Sequence, residues 1–71
     1  MNLTVNGKAA SIADEKPLSV SNLLETLQVA QREYVTVELN GDILDRQVFD
    51  AATVKDGDTV EFLYFMGGGA F

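Results

Sequence analysis

The sequence contains no cysteine and no histidine, and it has no tryptophan and only one proline among its 71 residues. Without cysteine the chain can form neither disulfide bonds nor thiolate metal sites, so an apolar core has to stabilise the fold. The joint absence of cysteine and histidine also excludes Ser-His and Cys-His nucleophilic pairs, zinc fingers and an imidazole general base. We therefore expect a protein that is not an enzyme and that binds no metal.

Basic residues are scarce as well, because five lysines and arginines accompany eleven aspartates and glutamates, which gives a net charge of −6. A surface of this sign repels phosphate backbones, so no nucleic acid is expected as a partner. The longest uninterrupted apolar run covers residues 62–66 and is far too short to cross a bilayer of about 30 Å. The N-terminus also lacks a signal-peptide pattern. We expect no membrane partner and a cytoplasmic location.

The length predicts a single domain with one small core, and the 46% apolar content is that of an ordinary globular protein. Two Asn-Gly pairs indicate β-hairpins with tight turns. Apolar and polar residues alternate on both sides of Asn6-Gly7, which predicts the first hairpin. Asn40-Gly41 predicts the second, between a strand over residues 35–39 and a short return strand at Ile43-Leu44.

One amphipathic helix is predicted over about residues 20–28, with Ser19 as its N-cap. Its apolar stripe has the spacing of one helical face and consists of Val20, Leu23, Leu24 and Leu27. Residues 45–52 show no sustained period, so we expect a helical turn or an irregular crossover there. Residues 59–66 are rich in β-branched and aromatic side chains, which predicts the last strand.

This order of elements predicts an α+β fold in which the helix lies across one face of a mixed sheet. Alternation in the last strand places one set of side chains under the helix: Val60, Phe62 and Tyr64. Leu63 and Phe65 then lie on the helix-free face beside Glu61. These two residues are either additional core beneath the crossover or a partner surface, and we favour the partner surface because exposed apolar patches are uncommon on monomers.

The chain ends with Gly67, Gly68 and Gly69, followed by Ala70 and Phe71. A phosphate-binding loop would need a helix after the glycines, so that type of site is excluded. We expect a folded domain over residues 1–66 and a flexible tail over residues 67–71. A tail of this kind is either a frayed terminus or a functional group in its own right.

Five segments of the sequence resemble, in order and spacing, the ThiS family of thiamine-pathway sulfur carriers: LTVNGK (3–8), LSVSNLL (18–24), VELNG (37–41), VKDGD (54–58) and FMGGG (65–69). The resemblance covers essentially residues 1–69. It implies the ubiquitin-like β-grasp fold, a mixed sheet of four to five strands packed on one helix, and this agrees with the order of elements predicted from the residues.

The resemblance also implies a function, because in this family the reactive group is the terminal carboxylate of a diglycine. Carried over to this sequence, the acyl site is Gly69 and the tail includes Gly67 and Gly68. An E1-like adenylating enzyme would use ATP and a sulfur donor to convert the carboxylate to a thiocarboxylate, and Leu63 and Phe65 would contact that enzyme. The sulfur would then pass to an acceptor such as thiazole synthase, and the carrier itself would bind no cofactor.

The sequence departs from the family pattern where Ala70 and Phe71 follow Gly69, because family members typically end on the diglycine. The chain as written should be inactive. Three origins of this extension stay open: a segment removed after Gly69 by a processing peptidase, which we favour, an artefact of the sequence, or a relative that has lost the chemistry. The extension also leaves open whether the sulfur serves thiamine thiazole, methionine or cysteine.

Two other functions share the fold and the tail. A ubiquitin-like protein modifier would join the Gly69 carboxylate to a lysine through an isopeptide bond. The small subunit of molybdopterin synthase would carry sulfur for another cofactor, but those chains are usually longer. We rank both below a sulfur carrier.

Overall fold

One helix lies across a five-stranded sheet, and two further strands of two residues each form a separate pair. The computed structural model describes residues 1–64. Its elements in chain order are β1 (Asn2–Val5), β2 (Lys8–Ser11), β3 (Leu18–Ser19), α1 (Val20–Thr26), β4 (Val35–Leu39), β5 (Asp42–Leu44), a 3₁₀ turn (Arg46–Val48), β6 (Thr53–Val54) and β7 (Thr59–Tyr64).

The main sheet has the strand order β2-β1-β7-β4-β5, so the last strand of the chain lies at its centre. Strands β1 and β7 are parallel, with Thr4 opposite Thr59, and every other neighbouring pair in this sheet is antiparallel. The small pair joins β3 to β6. The predicted α+β class, with a mixed sheet and one helix, is confirmed.

Both predicted hairpins form at the Asn-Gly pairs. Asn6 and Asn40 have φ values of 52° and 51°, and the glycines that follow them have φ values of 82° and 91°. Two consecutive residues with positive φ define the type I′ turn, whose twist matches that of the flanking strands. The turns close between Val5 and Lys8 in the first hairpin and between Leu39 and Asp42 in the second.

The helix begins where the sequence predicts and ends two residues earlier. Ser19 Oγ accepts a hydrogen bond of 3.0 Å from the backbone N–H of Asn22, which confirms the N-cap. At the other end Gln28 has a φ of 55°, and the N–H of Val29 donates to the carbonyl of Leu24 at 3.0 Å. This is a Schellman motif in which glutamine occupies the position usually held by glycine.

Residues 45–52 form the crossover, which contains the 3₁₀ turn and supplies hydrogen-bond acceptors to the first N–H groups of the helix. The N–H groups of Val20 and Ser21 donate to the carbonyls of Ala52 and Phe49 at 2.9 and 3.0 Å. The first turn of α1 therefore has backbone partners from the crossover. The Phe49 ring is buried, and the Arg46 guanidinium lies 5.3 Å from its centroid.

Apolar side chains from α1, the crossover and one face of the sheet form a single core. Its buried members are Leu3, Ile12, Leu18, Val20, Leu23, Leu24, Val35, Val37, Phe49, Val54 and Val60. We call the sheet face that supplies Leu3, Val35, Val37 and Val60 the covered face. Of the last-strand residues predicted under the helix, Val60 is fully buried and Phe62 is half-buried, whereas Tyr64 is exposed at the end of β7.

Candidate functional site

The residues predicted to carry the function lie at the end of the chain. Leu63 is in β7, whereas Phe65, the tail glycines Gly67, Gly68 and Gly69, and the extension Ala70-Phe71 fall outside the described residues. The structure therefore bears on the candidate site through Leu63, its neighbours on the sheet and the end of β7. The predicted domain limit at residue 66 also lies outside the described part and stays a prediction.

Leu63 is half-buried and lies on the side of the sheet opposite the helix, as predicted. The register of β4 and β7 places it opposite Thr36, and it places Glu61 opposite Glu38. These residues alternate along their strands with the buried side chains of the covered face. The helix-free surface formed by Thr36, Glu38, Ile43, Glu61 and Leu63 is here called the open face.

The open face contains a row of three side chains across three strands. Glu38 of β4 lies between Ile43 of β5 and Glu61 of β7. The N–H of Asn40 donates to the carbonyl of Thr59 at 2.8 Å, so by the alternation of an antiparallel ladder Glu38 and Glu61 form a hydrogen-bonded pair. The β-carbons of such a pair are about 4.5–5.5 Å apart.

Two exposed apolar residues do not stand out in the sequence. Ile43 is 65% exposed and Tyr34, which directly precedes β4, is 69% exposed. The signal that would have identified Ile43 is the hairpin register, because a two-residue turn at Asn40-Gly41 places Ile43 opposite Glu38. Ile43 adds an exposed apolar side chain to the sheet face that carries Leu63, with β4 lying between the two residues. The predicted partner surface therefore includes residues from three strands.

The end of β7 is hydrogen-bonded on both sides. On the β4 side, Tyr64 lies opposite Val35 in the last register pair of the β4–β7 ladder. The Tyr64 hydroxyl also donates a hydrogen bond of 2.7 Å to the carbonyl of Ala30. On the β1 side the N–H of Phe62 donates to the Asn6 side-chain oxygen at 2.8 Å. The strand that leads into the tail is therefore fixed up to the last described residue.

A buried carboxylate lies at the opposite end of β7. Asp58 is 5% exposed and accepts hydrogen bonds from the Lys55 N–H at 2.9 Å, the Lys55 Nζ at 3.2 Å and the Asn40 side-chain amide at 3.1 Å. Burial alone would raise the pKa of Asp58, but these donors and the Lys55 charge outweigh burial and hold the pKa below its usual value. Asp58 joins two turns and is a structural group.

Residues 1–64 contain no group of three or more acidic side chains placed to hold a metal ion. In the same part of the chain, no helix is long and apolar enough to cross a membrane. What the geometry does offer is a sheet face of mixed apolar and acidic character that the helix does not cover, formed in part by β7, the strand that precedes the glycines in the sequence.

Comparison with known proteins gives a family and close structural neighbours. The model of the ThiS family matches residues 3–69. The crystal structure of thiamine biosynthesis protein ThiS from Geobacter metallireducens is 67% identical, covers 97% of this chain and 100% of its own, and superposes with a TM-score of 0.91. A solution NMR structure of a thiamine biosynthesis protein from Geobacter metallireducens is 65% identical, with a TM-score of 0.78 over 100% of this chain and 91% of its own. These neighbours confirm the β-grasp prediction.

Two sequence relatives are more distant. A thiazole synthase of Paramagnetospirillum magneticum is 34% identical over 99% of this chain, which spans only 21% of that relative's length. The uncharacterized protein ycf40 of Porphyra purpurea is 29% identical over 97% of this chain and 93% of its own. Since the family match covers nearly all of the sequence and the fold agrees over its described part, the chain belongs to the ThiS family.

Proposed function

We propose that this chain is a sulfur carrier protein for the formation of the thiamine thiazole ring, with its acyl site at the carboxylate of Gly69. The observation that carries this proposal is the family match, which extends through the glycines and ends at Gly69 itself. Ala70 and Phe71 lie beyond the match. The proposal therefore includes their removal by a peptidase, which exposes the Gly69 carboxylate.

The proposed chemistry requires activation because a carboxylate is a resonance-stabilised anion that resists nucleophiles. ATP transfers AMP to the Gly69 carboxylate and releases pyrophosphate, which leaves an acyl-adenylate with a good leaving group. The terminal sulfur of a persulfide then attacks the carbonyl carbon and displaces AMP. Cleavage of the resulting S–S bond by a thiol leaves the thiocarboxylate. The carrier supplies only the acyl group, which fits a sequence without histidine or cysteine.

Glycine suits the tail because it has no Cβ. A run of three glycines can take extended conformations that other residues avoid, and it presents no side chain to clash with the walls of a narrow channel. Phe71 would fill such a channel with a benzyl group. The predicted requirement for processing therefore has a steric reason as well as a chemical one.

Two partners are part of the proposal. An E1-like adenylating enzyme binds Leu63 and Phe65. Support comes from the open face, which carries both the half-buried Leu63 and the exposed Ile43. Thiazole synthase accepts the sulfur. Support comes from the thiazole synthase relative, since a stretch of that polypeptide matches 99% of this chain. A segment similar to this chain thus occurs within a polypeptide named thiazole synthase.

Three versions of the chain, ending at Gly69, Gly68 and Phe71, test the acyl site. Each is incubated with the cognate E1-like enzyme, ATP and a persulfide source, and its intact mass is measured. The chain ending at Gly69 should exchange one oxygen for sulfur. The chain ending at Gly68 should not react, because its carboxylate stops one residue, about 3.3–3.6 Å, short of the reactive phosphate. The chain ending at Phe71 should stay unchanged unless Ala70 and Phe71 are first removed.

Two results would contradict the proposal. Sulfur incorporation by the full chain with Ala70 and Phe71 still present would move the acyl site away from Gly69. Recovery of Gly69 in isopeptide bonds to lysines in native cells, with no thiocarboxylate detected, would favour a protein modifier. Transfer of the sulfur is measured as thiazole formation after thiazole synthase and its other substrates are added to the mixture.

A further inference from the structure

The Glu38 and Glu61 pair on the open face is unfavourable in the isolated protein. Like charges directly opposite each other across two strands destabilise a sheet, and here they are in a central ladder. Among residues 1–64 the ion pair that forms joins Lys55 to Asp58 and involves neither glutamate. No side chain among residues 1–64 donates a hydrogen bond to the carboxylate of Glu38 or Glu61.

The charge of this face restricts what can cover it. Membrane surfaces and nucleic acids are anionic, and a second copy of this chain would bring another pair of carboxylates against the first. A protein surface with positive charge is complementary. Ile43 on one side and Leu63 on the other add apolar area to the same face, so the complementary surface combines a cation with apolar contacts.

Arginine fits this face better than lysine does. Its planar guanidinium offers several N–H donors and can bridge two carboxylates, and its aliphatic stem packs along apolar side chains. A lysine ammonium is a compact point charge and is more strongly hydrated. The spacing of the two glutamates, with β-carbons about 4.5–5.5 Å apart, is suited to one cation between them.

We propose that the open face binds the adenylating enzyme through an arginine that lies between Glu38 and Glu61, with Ile43 and Leu63 packed around it. This inference rests on the proposed function. It adds that the negative charge of the two glutamates selects a partner surface with positive charge. Gly69 is six residues beyond Leu63, so an extended tail reaches at most about 20–22 Å from the open face. A protein that acts on Gly69 is therefore within reach of both glutamates.

The test uses the chain that ends at Gly69 and the cognate E1-like enzyme, with the dissociation constant measured by titration calorimetry at several salt concentrations. Glu38→Gln/Glu61→Gln should weaken binding about tenfold at low salt and flatten its salt dependence. Glu61→Lys should weaken binding about a hundredfold, because it sets a cation against the partner's arginine. The matched control is Glu25→Gln on the exposed side of α1, which should bind like the wild type.

Thermal unfolding of the same variants separates binding from folding. Removing the like-charge pair should leave the unfolding midpoint of both variants unchanged or higher while the affinity falls. A double variant that binds with unchanged affinity and salt dependence overturns the inference and leaves the proposed function intact, provided the wild type gains sulfur. Loss of affinity for thiazole synthase but not for the adenylating enzyme also overturns it. A wild-type chain that neither binds nor is adenylated contradicts both proposals.

Discussion

The two faces of the central sheet are built from alternating residues of the same strands and differ in almost every property. On the covered face Val37 and Val60 have no exposed surface, whereas on the open face the adjacent Glu38 and Glu61 are half-buried. The covered face is apolar and packs under the helix. The open face combines two carboxylates that have no ion-pair partner among residues 1–64 with Ile43 and Leu63. Neighbouring residues on β4 or β7 thus belong to different faces: one stabilises the fold, and the next is assigned to binding.

This alternation means that folding and binding should respond to different substitutions. Burial of a valine or leucine side chain contributes about 1.5–3 kcal/mol, so the covered face carries much of the stability. A solvent-facing charge contributes far less to folding but can dominate the choice of partner. Three substitutions, taken in order of decreasing effect, test how completely the two faces are separated.

Leu23→Ala should have the largest effect, because Leu23 is fully buried between α1 and the covered face. The loss of transfer free energy and the cavity left behind should lower the free energy of unfolding by about 2–5 kcal/mol. A domain of this size has about 5 kcal/mol to lose, so much of the variant should be unfolded at room temperature. Circular dichroism during thermal unfolding measures the effect, with exposed Glu25→Ala as the control. An unchanged midpoint would show that the helix does not cover this face as described.

Asp58→Asn should have an intermediate effect and should act through pH. Asp58 is a buried carboxylate with three hydrogen-bond donors, in contrast to the glutamates of the open face. The pKa of Asp58 is lower in the folded protein than its unfolded-state value of about 3.9, so the charged form stabilises the fold. This stabilisation is fully present at pH values above the unfolded-state pKa. It is lost as the pH falls through the lower folded-state pKa. At neutral pH the substitution should cost about 1–3 kcal/mol.

Denaturant unfolding of wild type and Asp58→Asn between pH 2 and pH 7 measures this contribution. The difference between the two proteins should be constant near neutrality and shrink below about pH 4. A difference that is independent of pH would mean that packing, and not the charge of Asp58, accounts for the loss. Asp42→Asn is a suitable control, since Asp42 is exposed and its carboxylate has no hydrogen-bond donor among residues 1–64.

Leu63→Ser should have the smallest effect on folding and a selective effect on binding. Leu63 is half-buried on the open face, and apolar anchors that lose their water carry much of the energy of an interface. The affinity for the adenylating enzyme should fall about tenfold, while the unfolding midpoint changes little. Val48→Ser is the control, because Val48 is a 38% exposed apolar residue on the crossover, away from the open face. Equal affinities for Leu63→Ser and the wild type would remove Leu63 from the partner surface.

Much of the fold could be predicted from short-range signals. The Asn-Gly pairs at residues 6–7 and 40–41 determine both hairpins, because positive φ at two successive positions is costly for most other residues. The apolar pattern predicts a helix end two residues too late, because Gln28 adopts the left-handed conformation in which glycine would be the usual signal. Strands β3 and β6 were not predicted, since two residues are too few to show an alternating pattern.

The candidate site was predictable in part. Alternation in β7 correctly placed Leu63 and Glu61 on the helix-free face. The family resemblance, rather than any local pattern, supplied the role of Gly69, and that role stays a prediction. Glu38 and Ile43 join the face only through pairing between strands, so their contribution depends on a register that single-strand periodicity does not contain.

The central position of β7 has a mechanical consequence. A partner that draws the tail into a channel pulls on β7 beyond Tyr64, and this strand is bonded to β1 on one side and β4 on the other. A pull along the strand loads both ladders in shear, so many hydrogen bonds share the force at once. An edge strand pulled outward would instead peel, one bond at a time. Within residues 1–64, the central position of β7 therefore makes the strand next to the tail better placed to resist a pull than either edge strand.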